Sequence, residues 1–107
     1  MKQIEFQFSQ KVLTCFLLGE IDHHAAENMR EQIDARLLNL TPEKVVLDFS
    51  EVSFMDSSGI GLILGRNTMM KVLGGRLIIQ NPPEHITRVL ELAKIDKMTT
   101  LQEETVK

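Results

Sequence analysis

The sequence predicts an α/β domain built on a mixed sheet of four to five strands, with helices packed mainly on one face. Three observations carry that class. Two short β-rich runs open the chain, and from residue 22 onward helical and strand-like patterns alternate. Residues 45–49 are nearly continuous in apolar side chains, the mark of a strand covered on at least one face by a helix, and residues 76–80 hold Leu77, Ile78 and Ile79. The two strand-helix-strand units, residues 12–49 and 45–80, are long enough for right-handed crossovers, which place neighbouring strands parallel.

Each element has its own local cause. Ile4, Phe6 and Phe8 alternate with polar neighbours, residues 12–18 form a second β-rich run, and the polar Ser9-Gln10-Lys11 between them predicts a hairpin. Asp22 is placed to cap a helix whose apolar positions Ala26, Met29, Ile33, Leu37 and Leu40 make a single stripe. It ends near Thr41-Pro42, because proline disfavours the helical conformation in its predecessor. Residues 45–49 are the third strand, and 50–55 read as a loop. A second helix is expected from about Ser57 to Leu73, stopped at Gly74-Gly75, where glycine accepts the left-handed cap. Residues 76–80 are a fourth strand. Asn81-Pro82-Pro83-Glu84 then supplies an N-cap, prolines in the first turn and an acid three residues on. The third helix puts Ile86, Val89, Leu90 and Ala93 on one face. Residues 98–101 are expected as a short edge strand and 102–107 as a frayed end.

The bulk numbers narrow the function. A chain of 107 residues fits one domain, 1–107, able to build a core without staples. Hydrophobic residues at 43% and charged residues at 25% argue against disorder. Twelve basic against 15 acidic side chains give a net charge of −3, with no basic block to neutralise a duplex, so direct nucleic-acid binding is not expected. The absence of Trp and Tyr removes stacking platforms for bases or sugars. Cys15, the lone cysteine, has no partner for a disulfide or a zinc site, which suits a reducing, cytoplasmic setting. Glu5 interrupts the place where a signal peptide needs an apolar core, and no apolar run approaches the roughly 18 to 20 residues that cross a bilayer. A soluble protein that is neither exported nor held in a membrane is expected.

The candidate chemistry concentrates in Met55-Asp56-Ser57-Ser58-Gly59-Ile60-Gly61. It is not a hydrolase elbow, because Met55 stands where G-x-S-x-G needs its first glycine, and no catalytic residue is assigned. Gly59, Gly61 and Gly65 are spaced one residue longer than the dinucleotide fingerprint and stand well past the strand expected at 45–49. The plain reading of these glycines is close approach of helix and sheet, above all at Gly61 and Gly65. Ser57 and Ser58 have two readings: capping, which ordinary N-cap preference favours, and a hydroxyl that carries a phosphate near the positive helix end. If Asp56 caps, the Ser57 hydroxyl is left free and points outward; the residue types leave that choice of cap open. His23 and His24 do not chelate together, since adjacent helical residues point about 100° apart, and no metal is expected. The second helix is apolar over two arcs, Leu62, Met69 and Leu73 forming the second, which is either further core or an exposed patch.

With these residues laid out, the chain resembles the anti-sigma-factor antagonists, the small STAS-domain proteins of bacterial partner-switching systems. The resemblance covers residues 3 to about 101. It rests on Gly19-Glu20-Ile21-Asp22-His23-His24, the strand 45–49, the segment 53–61, Leu64-Gly65-Arg66 and Gly74-Gly75, and it looks most like the sporulation antagonists. The resemblance implies that Ser57 is phosphorylated by an anti-sigma factor that is itself an ATP-dependent serine kinase. The unmodified antagonist binds that factor and frees a sigma factor; a serine phosphatase reverses the modification. The surface assigned to the partner is Asp22, His23, Asp56 and Ser58, with Ile60 and Arg66 on the exposed part of the second helix. No cofactor and no intrinsic enzymatic activity are expected. The chain departs from the family in having no residues for a further terminal amphipathic helix after the expected last strand. Two other functions are compatible with the motif: a STAS module that holds a nucleotide or other anion directly, and a structural STAS module of a sensory assembly.

Overall fold

A computed structural model of the chain describes residues 2–95 and the backbone of 100–102. Strands β1 (Ile4–Ser9) and β2 (Val12–Ile21) form the expected antiparallel hairpin, in register from Ile4 opposite Leu17 to Ser9 opposite Val12. Its two-residue turn holds Gln10 and Lys11 at φ 52° and 66°, the doubly left-handed geometry whose twist matches that of the strands it joins. Helix α1 (His23–Leu40), strand β3 (Lys44–Met55), helix α2 (Ser57–Val72), strand β4 (Arg76–Gln80), helix α3 (Glu84–Leu92) and strand β5 (Thr100–Gln102) follow. The sheet order is β1-β2-β3-β4-β5, and β2, β3, β4 and β5 pair parallel to their neighbours. Of the edge strand expected at 98–101, residues 98 and 99 lie outside the described residues; the strand takes in Gln102, which had been expected to fray.

One face of the sheet builds the core. Leu13, Cys15 and Leu17 of β2, Val45, Leu47 and Phe49 of β3, and Leu77 and Ile79 of β4 alternate onto it and are all at most 2% exposed. Met29, Ile33 and Leu37 of α1, Leu62, Ile63 and Met70 of α2, and Ile86 and Leu90 of α3 close over the same cluster. The second arc of α2 is divided: Leu62 is buried, Met69 packs half-buried against the core, and Leu73 is exposed. Ala93, expected on the buried face of α3, is instead its exposed C-cap.

Residues 50–55, expected as a loop, are the second half of β3, and β2 likewise runs on to Ile21. The two extensions pair with each other, Leu18 with Glu51, Gly19 with Val52, Glu20 with Phe54 and Ile21 with Met55. Register shifts at 16–18 and 19–20, with Gly19 at φ 83°, break the period of two by which strands are recognised, so the pattern reads as irregular. The strand also ends at Met55, directly before the helix, and not well before the glycine motif.

The expected capping role of Asn81 is corrected as well. Pro83 occupies the cap of α3 without a side-chain hydrogen bond, and Asn81, at φ 54°, donates from Nδ2 to the buried Asp48 carboxylate at 3.2 Å. Asp48 also accepts from the Ser50 N–H (2.9 Å), the Ser50 hydroxyl (2.6 Å) and Gln80 Nε2 (2.8 Å). Burial raises its pKa, but these four hydrogen bonds outweigh burial and hold the carboxyl below its ordinary value.

Candidate functional site

The paired extensions of β2 and β3 set two helix N-termini side by side. Ile21 stands opposite Met55, and the Asp56 N–H donates to the Ile21 carbonyl at 3.3 Å, so the residues that follow, Asp22 and Asp56, begin α1 and α2 next to each other. Each aspartate is the N-cap of its helix. Asp22 Oδ1 accepts from the Ala25 N–H at 2.9 Å and Asp56 Oδ1 from the Ser58 N–H at 2.8 Å. The open choice of cap is thereby resolved in favour of Asp56. Ser57 is the first residue of α2 and exposed, and among the described residues nothing hydrogen-bonds to its hydroxyl.

Gly59 seats this corner. A Cβ there would overlap Cγ and Sδ of the buried Met55 and come within 3.4 Å of Ile21, so the first turn of α2 lies directly on the strand ends. The close approach expected at Gly61 and Gly65 is absent: nothing lies within 4 Å of a Cβ at either position. The tight glycines are Gly59 and, at the other end of α2, Gly75, whose Cβ would meet the Glu43 carbonyl at 2.7 Å and Met70 Cε at 2.6 Å.

His23, Ala26, Glu27 and Arg30 of α1 face Ser58, Gly61, Leu62 and Arg66 of α2 across a groove of about 230 Å³. The structure thus joins His23, Ser58 and Arg66, but two expected placements fail. Arg66 is not exposed; it is 7% accessible, and its Nε lies 2.8 Å from Asp34 Oδ1, pinning α2 to α1. Burial lowers the pKa of the guanidinium, Asp34 raises it and the nearby Arg30 lowers it again, leaving it below its ordinary value and still charged at neutral pH. Ile60 is likewise half-buried against the core instead of free at the surface. Glu27 and Arg30 were not singled out from the sequence, and Gly61 was read as a packing glycine and not as part of a groove. Their signal was the spacing 23, 27, 30 on α1 and 58, 61, 66 on α2, one face of each helix, although nothing local says which faces meet. Phe54, half exposed on the β3 extension three residues before Ser57, was not among the expected partner contacts either.

Cys15 is sealed in the core and its thiol pKa is pushed up to about 12 by burial, so it stays protonated and inert. Among the described residues no three His, Cys, Asp or Glu side chains stand close enough to hold a metal ion, and no helix is long and apolar enough to cross a membrane.

A five-stranded mixed sheet under helices, with two capped helix starts abutting at the carboxyl ends of β2 and β3, is the architecture of a STAS domain, and the profile of that domain matches residues 3–107. Within it, the chain belongs to the family of anti-sigma-factor antagonists. An anti-sigma F factor antagonist of Paenibacillus polymyxa is 36% identical over 106 residues, spanning 97% of this chain and 89% of the relative. The solved structure of the antagonist SpoIIAA in its unphosphorylated form superposes with a TM-score of 0.85 at 29% identity, covering 95% of this chain and 88% of that one. The phosphorylated form of SpoIIAA from Bacillus gives 0.77 at 29% identity, with 95% and 91% covered.

Proposed function

We propose that this chain is a phosphorylation-switched anti-sigma-factor antagonist acting in the cytoplasm. Unmodified, it binds an anti-sigma factor that is a serine kinase, which releases a sigma factor; phosphate on Ser57 ends that binding until a serine phosphatase removes it. The observation that carries the reading is the division of labour at the start of α2. Asp56 satisfies the helix amide, so the exposed Ser57 hydroxyl has no structural duty and is open to modification.

The chemistry of the switch follows from charge. A phosphoryl group brings about −1.5 to −2 charges to a corner that already holds the Asp22 and Asp56 carboxylates. The N-terminus of α2 tolerates the anion, so the fold persists while the surface presented to the partner changes. Two unit charges 4 Å apart repel by roughly 4 kcal/mol at an effective dielectric of 20, and a quarter of that already weakens binding about fivefold. The bulk of three added oxygens acts in the same direction. The chain contributes the acceptor, and the kinase partner contributes the nucleotide and the base.

Incubation with the anti-sigma factor and ATP, followed by mass spectrometry, tests the assignment. Phosphate is expected on Ser57; Ser57→Ala should bind without being released, and Ser57→Asp should bind poorly. Label on another residue with Ser57 unmodified overturns it.

A further inference from the structure

We infer that the groove between α1 and α2 receives a carboxylate side chain, an Asp or Glu of the anti-sigma factor, seated against Arg30 and Arg66. This rests on the partner-binding reading above and adds to it the chemistry of one contact. Three independent features of the groove point there.

Gly61 is the first. It is exposed, inside a 16-residue helix, with nothing within 4 Å of a would-be Cβ, so the fold has no use for a glycine that costs about 1 kcal/mol relative to alanine. What the missing side chain does is keep the groove open beside Ser58 and Leu62. Arg66 is the second. Its side chain is 9% exposed and forms part of the groove wall; Nε stands 2.8 Å from Asp34 Oδ1, yet Nε, Nη1 and that oxygen are all shielded from water and without an aligned hydrogen bond among the described residues. A buried guanidinium that Asp34 leaves short of aligned acceptors is costly, and a carboxylate entering the groove would supply an acceptor once the Arg66 side chain turns toward it. The third is the balance of charge. Arg30 stands close enough to Arg66 to lower its pKa, Asp34 forms an ion pair at Arg66 Nε and does not line the groove, and the first turn of α2 adds the positive end of its dipole. Glu27 is the one carboxylate among the lining residues, and both it and His23 are exposed to water.

Size selects the ligand class. A groove of about 230 Å³ falls below the roughly 300 to 1,000 Å³ of pockets that hold small-molecule ligands, so it suits one side chain better than a nucleotide. Ser58 is shared between the groove and the phosphorylation corner, which makes the contact continuous with the surface around Ser57.

The test is calorimetric titration of the full chain with its anti-sigma factor, comparing wild type, Arg30→Gln and Gly61→Leu after circular dichroism has established that each variant is folded. Both variants should bind on the order of tenfold more weakly, and wild-type affinity should fall with added salt more steeply than that of Arg30→Gln. Arg30→Glu should be rescued by an acid-to-lysine change in the partner. Wild-type affinity in both variants, with binding still lost in Ser57→Asp, overturns the groove and leaves the switch standing. No binding by the wild type overturns both. Micromolar ATP binding to this chain alone, abolished by Gly61→Leu, reassigns the groove to a small ligand and overturns the carboxylate contact.

Discussion

Alanine at Gly59 and at Gly61, two residues apart in one helix, should move stability in opposite directions. Helix propensity alone makes each change favourable by about 1 kcal/mol. At Gly61 nothing lies within 4 Å of the new methyl, so the gain stands, and for a domain of this size it raises Tm by about 4 to 8 °C. At Gly59 the methyl overlaps Cγ and Sδ of Met55, which is 4% exposed and anchored between strand and helix. The clash is with the middle of the side chain and not only its terminal methyl, so Met55, boxed in by the core, or the first turn of α2 has to shift. Overpacking of this kind costs about 1 to 3 kcal/mol, enough to cancel the propensity gain and leave a net loss of up to about 2 kcal/mol. Urea unfolding followed by circular dichroism measures both. If Gly59→Ala proves as stable as Gly61→Ala, the packing of α2 on the strand ends described above is wrong. Because Met55 leads directly into Asp56, the Gly59 variant should also be phosphorylated more slowly than wild type at temperatures where both are folded.

Asp48 sets an acid limit. Its carboxyl pKa is lowered in the folded state, so its contribution is complete above the unfolded value of about 3.9 and disappears as pH falls through the folded value. Asp48→Asn should cost about 2 to 3 kcal/mol at neutral pH and flatten the loss of stability below about pH 4, read from urea midpoints across pH. Asp34→Ala strands a buried guanidinium and should cost about 3 kcal/mol, whereas Asp34→Ala with Arg66→Met should recover most of that in the same assay. Ser57→Asp, placed at an exposed helix start, should leave Tm within the change expected of about 0.5 kcal/mol while weakening partner binding.

Much of this protein was legible because its signals are local. A capping carboxylate reaches two or three residues along the chain, so Asp22 marks the start of α1 from sequence, and Thr41-Pro42 marks its end. The hairpin, the stripe of α1 and the motif around Ser57 are likewise short-range patterns. Even the cap at Asp56 was named beside Ser57 and Ser58 as an option, and only its bond from the Ser58 N–H decided among them.

What the tertiary structure decided are relations across long sequence separations. Residues 50–55 became strand because residues 18–21 pair with them through shifted register, and that pairing, absent from any local pattern, brings Asp22 beside Asp56. Arg66 looked like an exposed helical arginine until α1 packed against it and supplied Asp34, and Asn81 looked like a cap until Asp48, 33 residues earlier, claimed its amide. The physical reason is common to all three. Local sequence sets the backbone preferences of each segment, but whether a polar side chain meets water or a partner depends on which faces come together, and that is settled by burying the core.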